Sequence, residues 1–335
     1  MQAILEDLYQ GKHLDLQRTK GTIKRIMRGE LNETEISALL IALKIKGENP
    51  VEIAGAATAL REFAKPFLRP QGQLLDTCGT GGDGKGTINI STIVALVAAE
   101  CGIKVAKHGN RAVSSLSGSS DLLAQLGVKL DCSPLQSRRC LDELNFCFLM
   151  APQYHPGVRF SMPVRQKLKT RTLFNLIGPL ANPAAPDVQL MGVYDSKLLV
   201  PMAKALGKLG CKKAFLVNGG GLDEIALHTD TEVAYLNQGK ISRLTITPEQ
   251  AGLKRSPLSE LQVKNPDDIA TASLNIMAGT GLDAHHNVVA LNAAAALLLC
   301  DKVKDLKEGV DMALSVLDSG QVVNRLHAFA EMSHA

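Results

Sequence analysis

Apolar residues recur every three and four positions through the first 66 residues, in ILEDLYQ, TIKRIMRGEL, EISALLIALKIKG and VEIAGAATALREFA. That period marks amphipathic helices, each burying one face, and predicts a small helical domain. Asn49-Pro50 supplies a cap with proline at the first helical position, and Gly47 a stop for the helix before it. Lys65-Pro66 and Arg69-Pro70-Gln71-Gly72 then break the rhythm. A boundary is expected near residue 70.

Beyond it the pattern shortens. LLDTC, GIKVAKH, FCFLM, QLMGVYD, KKAFLVN and EVAYLNQGKI read as strands, and STIVALVAAEC, SSDLLAQLG and KLLVPMAKALGKLG as helices between most of them. Such alternation predicts an α/β fold with ligands at the loops that follow the strand ends. The expected architecture is a small N-terminal α-helical domain, residues 1–70, plus a large α/β domain around a central, mainly parallel, mixed sheet. PVRQKLKTRTLFNLIGPL, from Pro163, reads as helical, and the segment 163–186 is expected to pack back on the first domain. Residues 71–162 and 187–335 then form the large one.

Composition narrows the functional classes. Of 335 residues, 45% are hydrophobic, so the chain can bury a sizeable core; 4% are aromatic and none is Trp, so that core is built from aliphatic residues. Lys plus Arg number 37 against 33 acids, a net charge of +4, too small for a general nucleic-acid footprint. The seven cysteines are odd in number and contain no CxxC pair, which argues against a disulfide framework or a zinc ribbon and fits a reducing cytoplasm. The N-terminus lacks the basic-then-apolar order of an export signal. The longest apolar run, from Val288, is interrupted by Asn292 and is shorter than the ~20 residues of a bilayer span. Neither membrane nor nucleic acid is expected as a partner.

Chemistry concentrates in four places. In LLDTCGTGGDGKGTINISTIVALVAAEC a strand runs into a loop with glycines at 79, 81, 82, 84 and 86, and then into a helix entered through Asn89, Ser91 and Thr92. Glycine lets backbone N–H groups crowd around an anion, and the helix N-terminus adds its positive dipole end, so phosphate is the natural guest. GTGGDG satisfies GxGxxG, yet the second strand ends in Lys107-His108 rather than in an acid that would hold a ribose; this disfavours NAD and leaves NADP open. The triphosphate loop GxxxxGK[ST] is nearly matched but fails at Gly86, where a metal-binding hydroxyl is required. A second cradle, KVAKHGNRAVSSLSGSSDLL, gathers Lys107, His108, Asn110 and Arg111 with five serines and has no acid between Glu100 and Asp121. Ser119 or Ser120 is the expected cap of its helix. Two anion loops imply separated phosphates. In AFLVNGGGLDEIALH three glycines present Asp223 and Glu224 together, hard oxygen ligands suited to Mg²⁺ beside a phosphate. Finally, the stretch from Leu144 to Pro186 has no acid and carries Arg159, Arg165, Lys167, Lys169 and Arg171, from which an arginine fork can hold a carboxylate.

GTGGDG, NIST, KHGNR, SGSSDLL, MPVRQ, RTLFNLIGPLANP and GGGLDE, in this order and over essentially the whole chain, resemble the anthranilate phosphoribosyltransferases. The resemblance implies a fold shared with pyrimidine nucleoside phosphorylases, a cleft between the two domains, and a homodimer formed through the helical domain. It implies a pentosyltransferase of tryptophan biosynthesis, cytoplasmic, that uses Mg²⁺ with two ions per active site. Gly79, Gly82, Asp83, Thr87, Asn89, Ser91, Thr92, Lys107, Asn110, Ser115 and Ser119 match positions for phosphoribosyl pyrophosphate. Gly79, Asn110 and Arg165 match positions that contact anthranilate, and Ser91, Asp223 and Glu224 match magnesium positions. His108 lies in the right motif to take a proton, although a structural role is open to it as well. Leu116 and Ala112 stand where relatives often carry lysine and serine, and Asn218 where histidine is common.

Overall fold

The helical stop and start signals of the sequence are satisfied by named atoms. The computed structural model describes residues 1–111 and 117–335. Its N-terminal helices are α1 (Gln2–Tyr9), α2 (Leu16–Met27), α3 (Glu33–Lys46) and α4 (Pro50–Phe63). Asn32 and Glu35 cap α3 reciprocally, and Asn49 and Glu52 do the same for α4 behind Pro50 at its first turn. Glu52 is fully buried; it accepts from Leu14 N at 2.9 Å and pairs with Lys46 Nζ at 2.8 Å, which ties the end of α3 to the α1–α2 connection. Gly21, on the exposed side of α2, has nothing within 4 Å of where a Cβ would sit. Gly21→Ala should therefore stabilise the protein by about 0.5–1 kcal/mol, read as a shift of the urea midpoint at constant slope.

The rest of the chain builds one sheet. Its strands are β1 (Leu75–Gly79), β2 (Val105–Gly109), β3 (Phe146–Met150), β4 (Val188–Gly192), β5 (Lys213–Asn218), β6 (Thr231–Asn237) and β7 (Lys240–Ile246). They are ordered β3-β2-β1-β4-β5-β6-β7. Neighbours from β3 to β5 pair in parallel, and β6 and β7 are antiparallel, so the sheet is mixed and mainly parallel. The chain leaves β1 to one side for β2 and β3 and returns on the other as β4. The order reverses between β1 and β4, where Gly79 faces Gly192 in register. Crevices beyond such a reversal are where open α/β sheets bind ligands.

Between and after the strands run α5 (Ile90–Glu100), α6 (Ser119–Gln125), α7 (Pro134–Leu144), α8 (Ala151–Tyr154), α9 (Met162–Leu168), α10 (Leu173–Ile177), α11 (Leu199–Lys208), α12 (Pro266–Met277), α13 (Asp283–Leu299), α14 (Leu306–Asp318) and α15 (Gln321–His334). One sheet face packs on a core contributed by α5, α7 and α13 to α15. The other face is covered by α11, on which α4 lies, so the core of the N-terminal helices is continuous with that side of the sheet. Arg61 at the end of α4 fastens the junction, donating to Leu180 O at 2.7 Å and Leu209 O at 3.1 Å. The apolar run from Val288 forms the buried helix α13. Among the described residues no helix is long and apolar enough to cross a membrane.

Three local expectations need correction. EVAYLNQGKI is not one strand: Gln238 and Gly239 take positive φ (48° and 81°) and fold it into the β6–β7 hairpin, a two-residue turn that its alternating flanks conceal. Residues 163–180 are not one helix either, because Lys169 in the left-handed region (φ 47°) separates α9 from α10. Both pieces contact α3, and α10 also contacts α4. Neither Ser119 nor Ser120 caps α6; the cap is Gly118, whose N–H donates to the Asp121 carboxylate at 3.0 Å.

Candidate active site

At the reversal between β1 and β4, the backbone of the β5–β6 connection approaches the sheet so closely that only glycine fits. A Cβ on Gly79 would lie 2.4 Å from Asp223 Oδ2, and one on Gly192 would lie 1.5 Å from Asp223 O. The missing side chains seat Asp223 across the mouth of the two strands. From there it meets the glycine-rich loop: Gly81 N donates to Asp223 Oδ2 at 2.8 Å, and Asp223 N to Asp83 Oδ2 at 3.4 Å. Asn218 holds the GGG turn that delivers Asp223, accepting from Gly221 N at 2.9 Å and donating to Val193 O at 2.6 Å. That explains what this asparagine does without a histidine's chemistry.

The loop is fixed along its length. Thr80 N donates to Gly192 O at 2.9 Å, and Asp83 turns the chain by accepting from Lys85 N at 3.0 Å. Thr87 forms a bridge with Gln262, and Ile88 N donates to Leu261 O at 3.0 Å. Arg171 donates to Gly82 O and stacks on the Tyr194 ring at 3.8 Å, so the segment between α9 and α10 touches the loop from the opposite wall. The loop then enters α5 at Asn89. The Asn89 side chain makes no bond to the first-turn amides of that helix; it accepts from Thr92 Oγ1 at 2.6 Å instead. Amides at the start of α5 face the loop with a helix dipole behind them.

Charge is arranged around one lysine. Lys107 on β2 is buried, donating to Thr77 O at 2.6 Å and to Ser91 Oγ at 3.1 Å. Burial and the neighbouring Asp83 push Asp223 up to about 7. Glu224, which accepts from the Ser91 amide, is raised well above the ordinary glutamate range by burial and by Asp223, with Lys107 opposing. Three acids with one lysine between them form a site short of positive charge. Ser91, Asp223 and Glu224 are thus brought together, and Asp83 joins them. Among the described residues no group of three or more His, Cys, Asp or Glu side chains is arranged to hold a metal by itself. A hard cation here would have to complete its shell with phosphate oxygens and water, as Mg²⁺ ordinarily does.

On the other side of Gly79 lie the remaining expected residues. Asn110 is exposed beyond β2, its Oδ1 accepting from Arg111 N at 2.8 Å, and Ser119 Oγ sits where a Cβ on Gly109 would fall. Ser115, with Ala112, Ser114 and Leu116, lies outside the described residues. Arg165 on α9 is half-buried against Phe174, 5.3 Å from the ring centroid, and among the described residues no carboxylate pairs with it. His108 is buried edge-on to His155 at 5.2 Å, and its Nε2 has no hydrogen-bond partner. Burial, then His155, hold it well below the usual imidazole range, so the ring is neutral and a weak base. Sequence reasoning overlooked Asp76, Asn182 and Gln189, which form a buried polar knot beneath these residues. The available signal was an acid inside LLDTC, an otherwise uncharged strand at the centre of a parallel sheet.

Two family models cover the chain: the helical bundle domain of a glycosyl transferase family matches residues 2–64, and its α/β domain residues 71–323. Anthranilate phosphoribosyltransferase of Aeromonas hydrophila is 52% identical over 330 residues, 98% of this chain and 96% of that protein. The solved anthranilate phosphoribosyltransferase of Thermus thermophilus superposes with a TM-score of 0.94 at 41% identity, covering 99% of each chain. That of Saccharomyces cerevisiae in complex with PRPP and Mg superposes with a TM-score of 0.90 at 26% identity, over 99% of this chain and 97% of that one. Since both halves of the fold match one family's models, and the likeness to its named members extends over almost every residue, the chain belongs to the anthranilate phosphoribosyltransferases.

Proposed function

We propose that this chain transfers the 5-phosphoribosyl group of phosphoribosyl pyrophosphate to the amine of anthranilate, releasing pyrophosphate, as an early step of tryptophan biosynthesis in the cytoplasm. One observation carries the reading: the glycine-rich loop, the start of α5, Lys107 and the Asp223-Glu224 pair converge at the reversal between β1 and β4. The solved yeast relative with PRPP and Mg supports it, as does the same yeast protein solved with 4-fluoroanthranilate.

The roles follow from chemistry. Gly79, Gly82, Asp83, Thr87, Asn89, Ser91 and Thr92 bind the diphosphate and ribose, with Lys107, Asn110, Ser115 and Ser119 on the facing side. Asp223, Glu224 and Ser91 hold magnesium, two ions per site; burial makes ionisation of the two carboxyls costly, and a bound cation would relieve that cost. Bound there, Mg²⁺ would supply positive charge against the departing diphosphate. Loop amides and Lys107 absorb the rest of that charge, and Gly79, Asn110 and Arg165 orient the anthranilate amine. An aromatic amine is a weak nucleophile, so positioning carries most of the rate. His108, neutral and buried, is read as shaping the cleft rather than as an effective base.

Residues 1–70 with 163–186 are taken as the helical domain, and 71–162 with 187–335 as the α/β domain. A homodimer through the helical domain is supported by a surface cavity of about 400 Å³ between α1 and α3, lined by Leu8, Tyr9, Ile41 and Ile45 among others. Tyr9 and Ile45 are 61% and 81% exposed there, a large apolar area to leave in water.

The test is stoichiometric. With phosphoribosyl pyrophosphate and Mg²⁺, each anthranilate consumed should release one pyrophosphate. Phosphate-dependent cleavage of pyrimidine nucleosides in place of that reaction would contradict the reading and favour a phosphorylase of the same fold. Arg165→Ala should raise KM for anthranilate about tenfold or more with little change in kcat, because it removes binding common to ground and transition states. Steady-state kinetics with each substrate varied checks this, and an effect confined to phosphoribosyl pyrophosphate would place Arg165 elsewhere.

A further inference from the structure

We propose that Asp76 is a positioning residue: it fixes the acceptor half of the cleft by fastening together three chain segments that each carry one anthranilate contact. The inference rests on the functional reading above. Asp76 lies in β1, three residues before Gly79, and is fully buried. Its Oδ1 accepts from the backbone N–H of His108 at 3.3 Å, on the strand that leads to Asn110. Its Oδ2 accepts from Asn182 Nδ2 at 2.9 Å, on the segment 163–186 that also carries Arg165. Asn182 Nδ2 also donates to Ala106 O at 2.8 Å, so one amide clamps the segment to both β1 and β2. Gln189 Nε2 adds a second tie, reaching Pro179 O at 2.7 Å and Asp76 Oδ2 at 3.5 Å.

Every partner of Asp76 in this knot is a donor, and a carboxylate is the side chain that only accepts. Burial pushes its pKa up to about 6, opposed chiefly by Lys107 and then by the Asn182 bond, so it is ionised at neutral pH. A charge kept in the interior at such a cost calls for a reason beyond filling space, and valine or threonine would fill this strand position more readily. The reason is register. Gly79, Asn110 and Arg165 come from distant parts of the chain, and a shift of about 1 Å in any of them misaligns a bound acceptor. The hydrogen bonds that hold the phosphate side do not pass through Asp76, whose charge reaches Lys107 only through space: Lys107 donates to Thr77 O and Ser91 Oγ, and Gly81 N donates to Asp223.

Asp76→Asn tests this with almost no change of shape, since the new NH₂ must face one of the existing donors. The expected result is a rise in KM for anthranilate of about tenfold or more, with KM for phosphoribosyl pyrophosphate changed less than about twofold. Equal rises in both KM values, a fall in kcat alone, or a lower melting temperature with unchanged KM values would overturn it by showing a merely structural role. Should Asp76→Asn fail to fold, Asn182→Ala breaks the same tie from the other side and is read by the same split. Unmodified protein that does not consume anthranilate overturns both this and the functional reading; normal turnover with an unshifted variant overturns this inference alone.

Discussion

Replacing Asp223 with Asn and Glu224 with Gln in one variant should lower kcat at least a thousandfold at saturating Mg²⁺, a loss of about 4 kcal/mol of transition-state stabilisation. Both amides keep the shape and still accept from Gly81 N and the Ser91 amide, so only charge and metal affinity are removed. The same variant should melt no earlier than its parent in metal-free buffer, because burial and the neighbouring carboxylates already oppose the ionisation of Asp223 and Glu224. This pairing of lost rate with kept stability separates a catalytic role from a folding defect. Near-normal turnover would remove these carboxylates from the mechanism.

The second large effect concerns a residue with no functional group. Gly192→Ala places a methyl 1.5 Å from the carbonyl oxygen of Asp223, a contact with backbone that cannot be relieved by a rotamer change. The β5–β6 connection has to move, and it carries Asp223 and Glu224 with it. The expected outcome is a fall in kcat of about a hundredfold or more together with a lower melting temperature, consistent with an overpacking cost of ~1–3 kcal/mol. Gly21→Ala is the control, a glycine whose replacement meets nothing within 4 Å. Retained activity in Gly192→Ala would mean that the docking of Asp223 against β4 does not set the site.

Much of this was legible in the chain because it is local. Helical periods and the Asn49-Pro50 cap marked the N-terminal helices, and the glycine spacing from 79 to 86 marked an anion loop before any family was considered. What local pattern could not show is contact between distant segments. Asp223 meets Gly81 across 142 residues, and Asp76 meets Asn182 across 106, and nothing in their neighbours announces either pairing. The Asp223-Glu224 pair, taken alone, reads as an ordinary solvated turn; the glycines before it and the phosphate loops elsewhere point to Mg²⁺, and the fold gives it the narrow seat between Gly79 and Gly192. Asp76 was visible as a letter but not as a site, since a single acid in a strand says nothing of the donors aimed at it. The β6–β7 turn was missed for a smaller reason: Gln-Gly is not a pair that advertises a hairpin, and the alternation on both sides ran through it.

The most direct measurement is anomalous diffraction from crystals grown with Mn²⁺ and pyrophosphate. The account predicts a metal peak within about 2.5 Å of carboxylate oxygens of Asp223 or Glu224 and of a pyrophosphate oxygen lying against the glycine-rich loop. A pyrophosphate bound in that loop with no metal at these carboxylates, or a metal held elsewhere in the cleft, would contradict it.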